Sequence, residues 1–122
     1  MVLKISLQMA SAAAHLHSRG IMHGDLYAHN ILIDPKANPL FGDFGAASLF
    51  NFKDTSKAQV LEKIEVRAFG CLVDDLLLHL GPEDQDLKGV KILSNLKDAC
   101  FKNNPNERPG FRELIREIEN IV

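Results

Sequence analysis

The stretches that decide how this chain folds are His-Gly-Asp-Leu-Tyr-Ala-His-Asn at residues 23–30 and Asp-Phe-Gly at residues 43–45. An apolar run, a turn with two prolines and a second apolar run lie between them. That order is typical of a strand, a turn and a return strand. We therefore predict a short β-hairpin, with strands near residues 30–34 and 40–43, that folds the second stretch back beside the first.

Three polar side chains would then lie together at one edge of the hairpin: Asp25, Asn30 and Asp43. Mg²⁺ prefers oxygen ligands and usually keeps several waters, so one amide and one carboxylate suffice to hold it beside phosphate groups. We expect Asn30 and Asp43 to take that role and Asp25 to accept a proton from a hydroxyl group. Taken singly, a loop Asp would make turn hydrogen bonds and Asn30 would cap a strand; the spacing of the three favours chemistry.

Helical patterns of apolar residues lie on both sides of the hairpin. The first runs over residues 2–19 and stops at Gly20, a residue typical of helix C-termini. Others cover residues 58–80 and 89–102, and Pro109 stands where it can open a last helix. The pattern of residues 58–80 is apolar on most sides, which predicts a central helix.

The two opening stretches resemble the H-R-D-x-x-x-x-N and D-F-G signatures of protein kinases. The resemblance implies transfer of the γ-phosphate of ATP to a hydroxyl group of a protein substrate, with ATP and Mg²⁺ as cofactors. It implies that Asp25 is the catalytic base and that Asn30 and Asp43 bind the metal and, through it, the nucleotide. Leu32 matches the family position that forms the floor of the adenine pocket, although a plain core role is also open to it.

Supporting residues follow from the same resemblance. His23 and Phe44 would pack beneath the two loops, and Gly45 would let the backbone turn. The sequence Glu-Val-Arg-Ala-Phe-Gly from Glu65 is similar to the D-V-W-S-F-G motif that opens the central helix of kinases. In the family that Asp braces the backbone of the catalytic loop, so the resemblance implies the same role for Glu65, one methylene longer.

A further motif, Pro-Asn-Glu-Arg-Pro-Gly-Phe at residues 105–111, resembles the kinase pattern P-x-x-R-P-x-F. In the family this Arg forms a buried ion pair with a Glu that ends the activation segment. The chain has no Ala-Pro-Glu, and Glu62 is the candidate partner of Arg108. The preceding Ala-Cys-Phe at residues 99–101 is similar to the tyrosine-kinase-like branch.

The resemblance extends over residues 1–122 and is to the C-terminal lobe of the kinase fold only, mainly α-helical with a short β-hairpin. Residues 46–62 correspond to the activation segment and residues 65–80 to the central helix. The Gly-rich loop, V-A-I-K strand and Glu-bearing helix of the N-terminal lobe do not occur in the sequence. We expect the exposed lobe interface to need that lobe or another chain, and the fragment alone to be inactive.

The catalytic loop departs from the family at Gly24, where an Arg is usual, and at Tyr27, where a Lys is usual. The absence of a tyrosine-kinase-type A-A-R loop favours Ser/Thr over Tyr as the acceptor. Two alternatives stay open: a small-molecule phosphotransferase, since H-G-D-x-x-x-x-N-I-L also resembles aminoglycoside and choline kinases, and a non-catalytic pseudokinase remnant or interaction module.

Composition narrows the remaining classes. The formal charge of −2 provides no basic field, so we expect no nucleic-acid partner. No apolar run approaches the roughly 18–20 residues that span a bilayer, and no signal peptide is recognisable, so we expect a cytoplasmic protein without membrane contact. The two cysteines lie in apolar helical patterns and predict buried thiols. His15 and His17 are two residues apart on a helix and point to different sides, which argues against a zinc site.

Overall fold

The computed structural model of this chain describes residues 2–24, 31–33, 39–41, 47–80 and 87–121. Most of the described residues are helical, as the sequence predicts. The helices are α1 (Val2–Ser18), α2 (Thr55–Leu78), α3 (Lys88–Cys100) and α4 (Phe111–Ile121), with a short 3₁₀ helix at Pro105–Glu107. The strands are β1 (Ile21–Met22), β2 (Ile31–Ile33), β3 (Pro39–Phe41) and β4 (Ser48–Leu49). The predicted class, mainly α-helical with a short β-hairpin, is confirmed.

Strands β2 and β3 form the predicted hairpin. They pair antiparallel, with Ile31 opposite Phe41 and Leu32 opposite Leu40. The sequence did not predict the second antiparallel pair, in which Ile21 of β1 lies opposite Leu49 of β4. Because two-residue strands carry almost no periodic signal, such a pairing is set by tertiary structure rather than by local sequence. It ties the chain just before residue 23 to the chain just after residue 47.

The end of α1 is built as its glycine predicts. Gly20 has a φ of +74°, a left-handed conformation that a side chain would oppose. Its N–H donates to the carbonyl of His17 at 3.1 Å, and its carbonyl accepts from the N–H of Phe50 at 2.8 Å. Gly20 therefore closes the helix and extends the contact between β1 and β4 by one residue.

Helix α2 begins earlier than predicted. The sequence predicts a helix over residues 58–80 after an activation segment over residues 46–62, but the helix already starts at Thr55. The carboxylate of Asp54 caps it by accepting the N–H of Lys57 at 3.2 Å. No Gly or Pro follows until Gly70, so nothing in the sequence interrupts the helix once this cap has formed.

The core lies where the second half of α2 crosses the other helices. Along α2, the fully buried residues begin at Glu65 and end at Val73, and the ten residues before Glu65 are exposed or half-buried. Phe69 meets Phe111 of α4 edge to face, with ring centroids 5.9 Å apart. Helix α1 contributes to the same core and packs mainly on α4, while α3 packs mainly on α2. The buried apolar residues are Ile5, Met9, Ala10, Ala13, Val66, Phe69, Leu72, Val73, Leu93, Cys100, Phe111, Leu114 and Ile118.

The last helix starts two residues later than Pro109 predicted. Helix α4 begins at Phe111, and the carbonyl of Gly110 accepts the N–H of Leu114 at 3.0 Å. Pro109 is buried between the 3₁₀ helix and α4. It precedes the first turn of α4 instead of forming part of it, and its restricted φ limits the direction in which the chain enters the helix. In the parts of the chain that the structure describes, no helix is both long and apolar enough to cross a membrane.

Helix α2 packs closely on the end of α3 at Gly70, and we expect Gly70→Ala to destabilise the chain. A Cβ at this position would lie 2.8 Å from the Cβ of Cys100 and 3.2 Å from a ring carbon of Phe101. Although Gly to Ala in a helix normally stabilises by about 0.5–1 kcal/mol, overpacking of this kind costs about 1–3 kcal/mol. Urea denaturation of both proteins measures the difference.

Gly89→Ala is the matched control. Its Cβ would meet Cγ2 of Ile121 and Cδ1 of Leu3, at 2.7 and 3.2 Å, but these residues lie at the last turn of α4 and the first turn of α1, where a helix end can shift more easily. We expect this variant to lose less stability than Gly70→Ala. Equal losses, or a gain for Gly70→Ala, would contradict the close packing of α2 on α3.

Candidate functional site

The residues predicted to act directly on nucleotide and substrate fall in or near the two stretches at residues 23–30 and 43–45. Asp25, Asn30, Asp43, Phe44 and Gly45 lie outside the residues that the structure describes. Leu32 lies in β2, within the predicted strand, and its role at the adenine pocket stays a prediction. The roles of the other residues stay predictions as well. The described structure shows the contacts that hold the start of the catalytic loop, and we call these contacts the frame of the loop.

Glu65 is the centre of that frame. Its side chain is buried, and its Oε1 accepts the N–H of Gly24 at 2.8 Å. Oε2 accepts the N–H of His23 at 3.3 Å and lies 2.5 Å from Nε2 of His17. The carboxylate of α2 thus holds the backbone at the first two residues of the loop, immediately before Asp25. This is the contact that the resemblance implied for Glu65, and the extra methylene does not prevent it.

His17 is a residue that sequence reasoning missed as part of the site. It comes from the last turn of α1, is 8% exposed, and supplies the third group on the Glu65 carboxylate. Its ring packs against Phe50 and Phe111, with centroids 5.5 and 5.8 Å away. From the sequence, His17 was considered only as a possible zinc ligand. No spacing rule connects a residue of α1 to one of α2, 48 positions away.

His23 and Gly24 occupy different environments although they are neighbours. The His23 side chain is buried, which agrees with the supporting position that the resemblance implied for it. Gly24 is exposed and has a φ of +83°, a left-handed backbone conformation that favours glycine. An Arg at this position, usual in the family, would have to adopt that strained backbone. The structure therefore gives a physical reason why this loop carries Gly.

Arg108 also contacts α2, but not through the predicted ion pair with Glu62. Its Nε donates to the carbonyl of Lys102 at 2.8 Å and its Nη1 to the carbonyl of Lys63 at 3.0 Å. The Lys63 ammonium in turn donates to the carbonyl of Arg108. Arg108 is buried, and these contacts fasten the segment before α4 to α2.

The prediction that Glu62 is the partner of Arg108 is wrong. No ion pair between them is present in the described structure. The Glu62 carboxylate instead lies against Gly110, where a Cβ would be 2.9 Å from Oε1. Glu62 and Lys63 are adjacent on a helix and point in different directions, so the turn that brings Lys63 to Arg108 directs Glu62 elsewhere.

Groups suited to hold a metal are not assembled in the described residues: no cluster of three or more His, Cys, Asp or Glu side chains is found there. The proposed ligands Asn30 and Asp43 offer an amide and a carboxylate oxygen, a donor set that fits Mg²⁺. The hairpin register places Ile31, which follows Asn30, opposite Phe41, two residues before Asp43. Convergence of the two ligands is the expectation that this register supports.

The hairpin, the braced start of the loop and the helical core together define a C-terminal lobe of the protein-kinase-like fold. Comparison with known families agrees: the model of the protein kinase domain matches residues 1–68. The chain belongs to the protein kinase family. Its N-terminal half, with the hairpin and the Glu65 brace, carries the match.

Individual relatives point the same way. The chain is 30% identical to a probable serine/threonine-protein kinase, kinY, of Dictyostelium discoideum, over 98% of this chain and 28% of that protein. It is 24% identical to a protein kinase and PP2C-like domain-containing protein of Arabidopsis thaliana, over 98% and 29%. It is 29% identical to serine/threonine-protein kinase chk1 of Schizosaccharomyces pombe, over 85% and 23%. The chain thus spans less than a third of the length of these relatives.

Replacing Glu65 by Gln tests the brace. The amide keeps the shape, but it can no longer accept from His17, His23 and Gly24 together, and a buried donor would face donors. We expect a loss of stability on the order of 3 kcal/mol, since it breaks a buried charged network. Urea denaturation measures it, and Glu119→Gln on the exposed face of α4 should change stability by less than about 0.5 kcal/mol. A loss below about 1 kcal/mol for Glu65→Gln would contradict the brace.

A double-mutant cycle between Glu62 and Arg108 tests the corrected assignment. Arg108→Ala should cost about 1–3 kcal/mol, because the carbonyls of Lys102 and Lys63 lose their donors. Because Glu62 does not contact Arg108, the coupling energy with Glu62→Ala should stay below about 0.5 kcal/mol. Equilibrium unfolding of the two single variants and the double variant provides it, and a coupling above about 1 kcal/mol would restore the ion pair.

Proposed function

We propose that this chain forms the catalytic half of a serine/threonine protein kinase, which transfers the γ-phosphate of ATP to a hydroxyl group of a protein substrate. The observation that carries the proposal is the Glu65 carboxylate bound to the backbone N–H groups of His23 and Gly24. It holds the loop at the point where Asp25 follows, within a chain of the protein kinase family. The similar proteins named as serine/threonine kinases support the acceptor class.

The roles of the chain's own residues follow from their chemistry. Asp25 orients the acceptor hydroxyl and takes its proton. Asn30 and Asp43 hold Mg²⁺, and Leu32 of β2 provides an apolar surface for the adenine. The metal and ATP, when bound, supply the transferable phosphoryl group and the charge that neutralises its oxygens. The Glu65 carboxylate fixes the backbone at His23 and Gly24, which we propose preorganises the start of the loop for the reaction.

Phosphoryl transfer by the protein purified at its natural length tests the proposal. With Mg²⁺ and γ-labelled ATP, we expect label on Ser or Thr of a general protein substrate and none on an aminoglycoside or on choline. Asp25→Asn should lower the rate at least about a hundredfold, as expected for loss of a general base. Asp75→Asn, an exposed carboxylate of α2, should leave the rate unchanged.

Three results would count against the proposal. Label on the small molecule alone would indicate a small-molecule phosphotransferase. A rate that Asp25→Asn does not change would remove Asp25 from the mechanism. No transfer to any acceptor, from a protein whose intact mass includes an N-terminal lobe, would favour the non-catalytic alternative.

A further inference from the structure

We propose that the cavity between the start of the catalytic loop and the middle of α2 binds a phosphoryl group, as inorganic phosphate or as a phosphomonoester. This cavity, of about 270 Å³, is lined by two arginine residues, Arg67 and Arg108. Gly24 is part of its described lining, so the cavity lies beside the start of the loop that carries Asp25. The full described lining is Met22, Gly24, Ile64, Glu65, Arg67, Ala68, Cys71 and Arg108.

The two guanidiniums carry positive charge that no carboxylate of the described residues neutralises. Neither Arg67 nor Arg108 takes part in an ion pair there. Arg108 is only 9% exposed, and main-chain carbonyls accept from its Nε and Nη1. Its Nη2 donates to no described residue and is not one of the fully buried polar atoms. One donor of a buried cation is therefore left for a ligand.

Arg67 is held in a different way. Its Cζ lies 5.8 Å from the centre of the Phe101 ring, a cation–π distance that fixes the guanidinium without using its N–H groups. These donors remain free to form paired hydrogen bonds with an oxyanion. Two guanidiniums on one cavity suit a doubly charged phosphoryl group better than a singly charged carboxylate.

Glu65 is the acidic residue in this lining. Its Oε2 accepts from His23 and His17 and its Oε1 from Gly24, and the described structure contains no ion pair between Glu65 and either Arg. The rest of the wall is mainly apolar, with Met22, Ile64 and Ala68. An apolar wall beside two cations matches a phosphomonoester with an apolar body at least as well as the free ion.

Cys71 provides the measurement, because it lines the cavity and is half-buried. Cys100 is the internal reference: burial raises its pKa to about 12, against a smaller opposing effect of Arg108, so its thiol is protonated at pH 8. Iodoacetamide should therefore modify Cys71 first. Modification of Cys100 would reveal unfolding and not ligand release.

The experiment follows Cys71 alkylation of the 122-residue chain with increasing inorganic phosphate, phenyl phosphate, benzoate or sodium chloride at constant ionic strength. We expect saturable protection by one or both phosphoryl compounds and none by chloride. The tighter of the two identifies the source, the free ion or an ester. Arg67→Gln should raise the half-protecting concentration about tenfold, as expected for a lost charged hydrogen bond, and Arg116→Gln on exposed α4 should not change it.

Arg67 is exposed, so its variant is expected to fold and keeps the proposal testable if Arg108→Gln does not fold. The proposal is overturned if chloride protects Cys71 as well as phosphate does, if benzoate alone protects it, or if Arg67→Gln responds like the unchanged protein. Shifts of the Gly24 N–H resonance on titration with phosphate give a second readout that does not depend on cysteine chemistry.

Discussion

The fold around the catalytic loop depends on one buried carboxylate. Glu65 is almost fully removed from water, and an isolated charge in that position would be strongly unfavourable. Three groups from two separate elements make it tolerable: the His17 imidazole at the end of α1, and the backbone N–H groups of His23 and Gly24. The same bonds that satisfy the charge therefore fix α1 and the start of the loop to α2. Compensation of the Glu65 charge and placement of the loop on α2 thus depend on the same hydrogen bonds.

Helix α2, which carries this carboxylate, has a buried part and a more exposed part that make different contacts. From Glu65 to Val73 it runs through the core, where Gly70 lets α3 approach and Phe69 packs against α4. Its first ten residues lie outside the core, capped by Asp54 and attached through Lys63 to Arg108. Because α2 is one continuous helix from Thr55 to Leu78, its exposed part and its buried part hold a fixed position relative to each other. Lys63, which contacts Arg108, and Glu65, which holds the loop, are two residues apart on this helix. The two sets of contacts are therefore linked through α2.

Sequence reasoning recovered the parts that local rules control. Helical periodicity, the glycine after α1 and the two apolar runs of the hairpin each report backbone preferences, and the corresponding helices and strands formed. It failed where the outcome depends on which elements meet. The start of α2 followed from a single Asp54 cap within an aperiodic stretch, and the role of His17 required knowing that α1 ends beside Glu65. The choice of Glu62 for Arg108 matched charge to charge, but the direction of each side chain is decided by helix phase.

Arg108 and Glu65 show two solutions to the same problem of a buried charge, and the difference has consequences. Glu65 is compensated by two backbone N–H groups and by the imidazole of His17. Arg108 is compensated by carbonyl oxygens, which are dipoles and leave the net charge in place. A cation stabilised only by dipoles still attracts anions, and the low dielectric around it strengthens that attraction. The described lining of the cavity holds two cationic residues, Arg67 and Arg108, against one anionic residue, Glu65, so its formal charge is positive although the chain as a whole is slightly acidic.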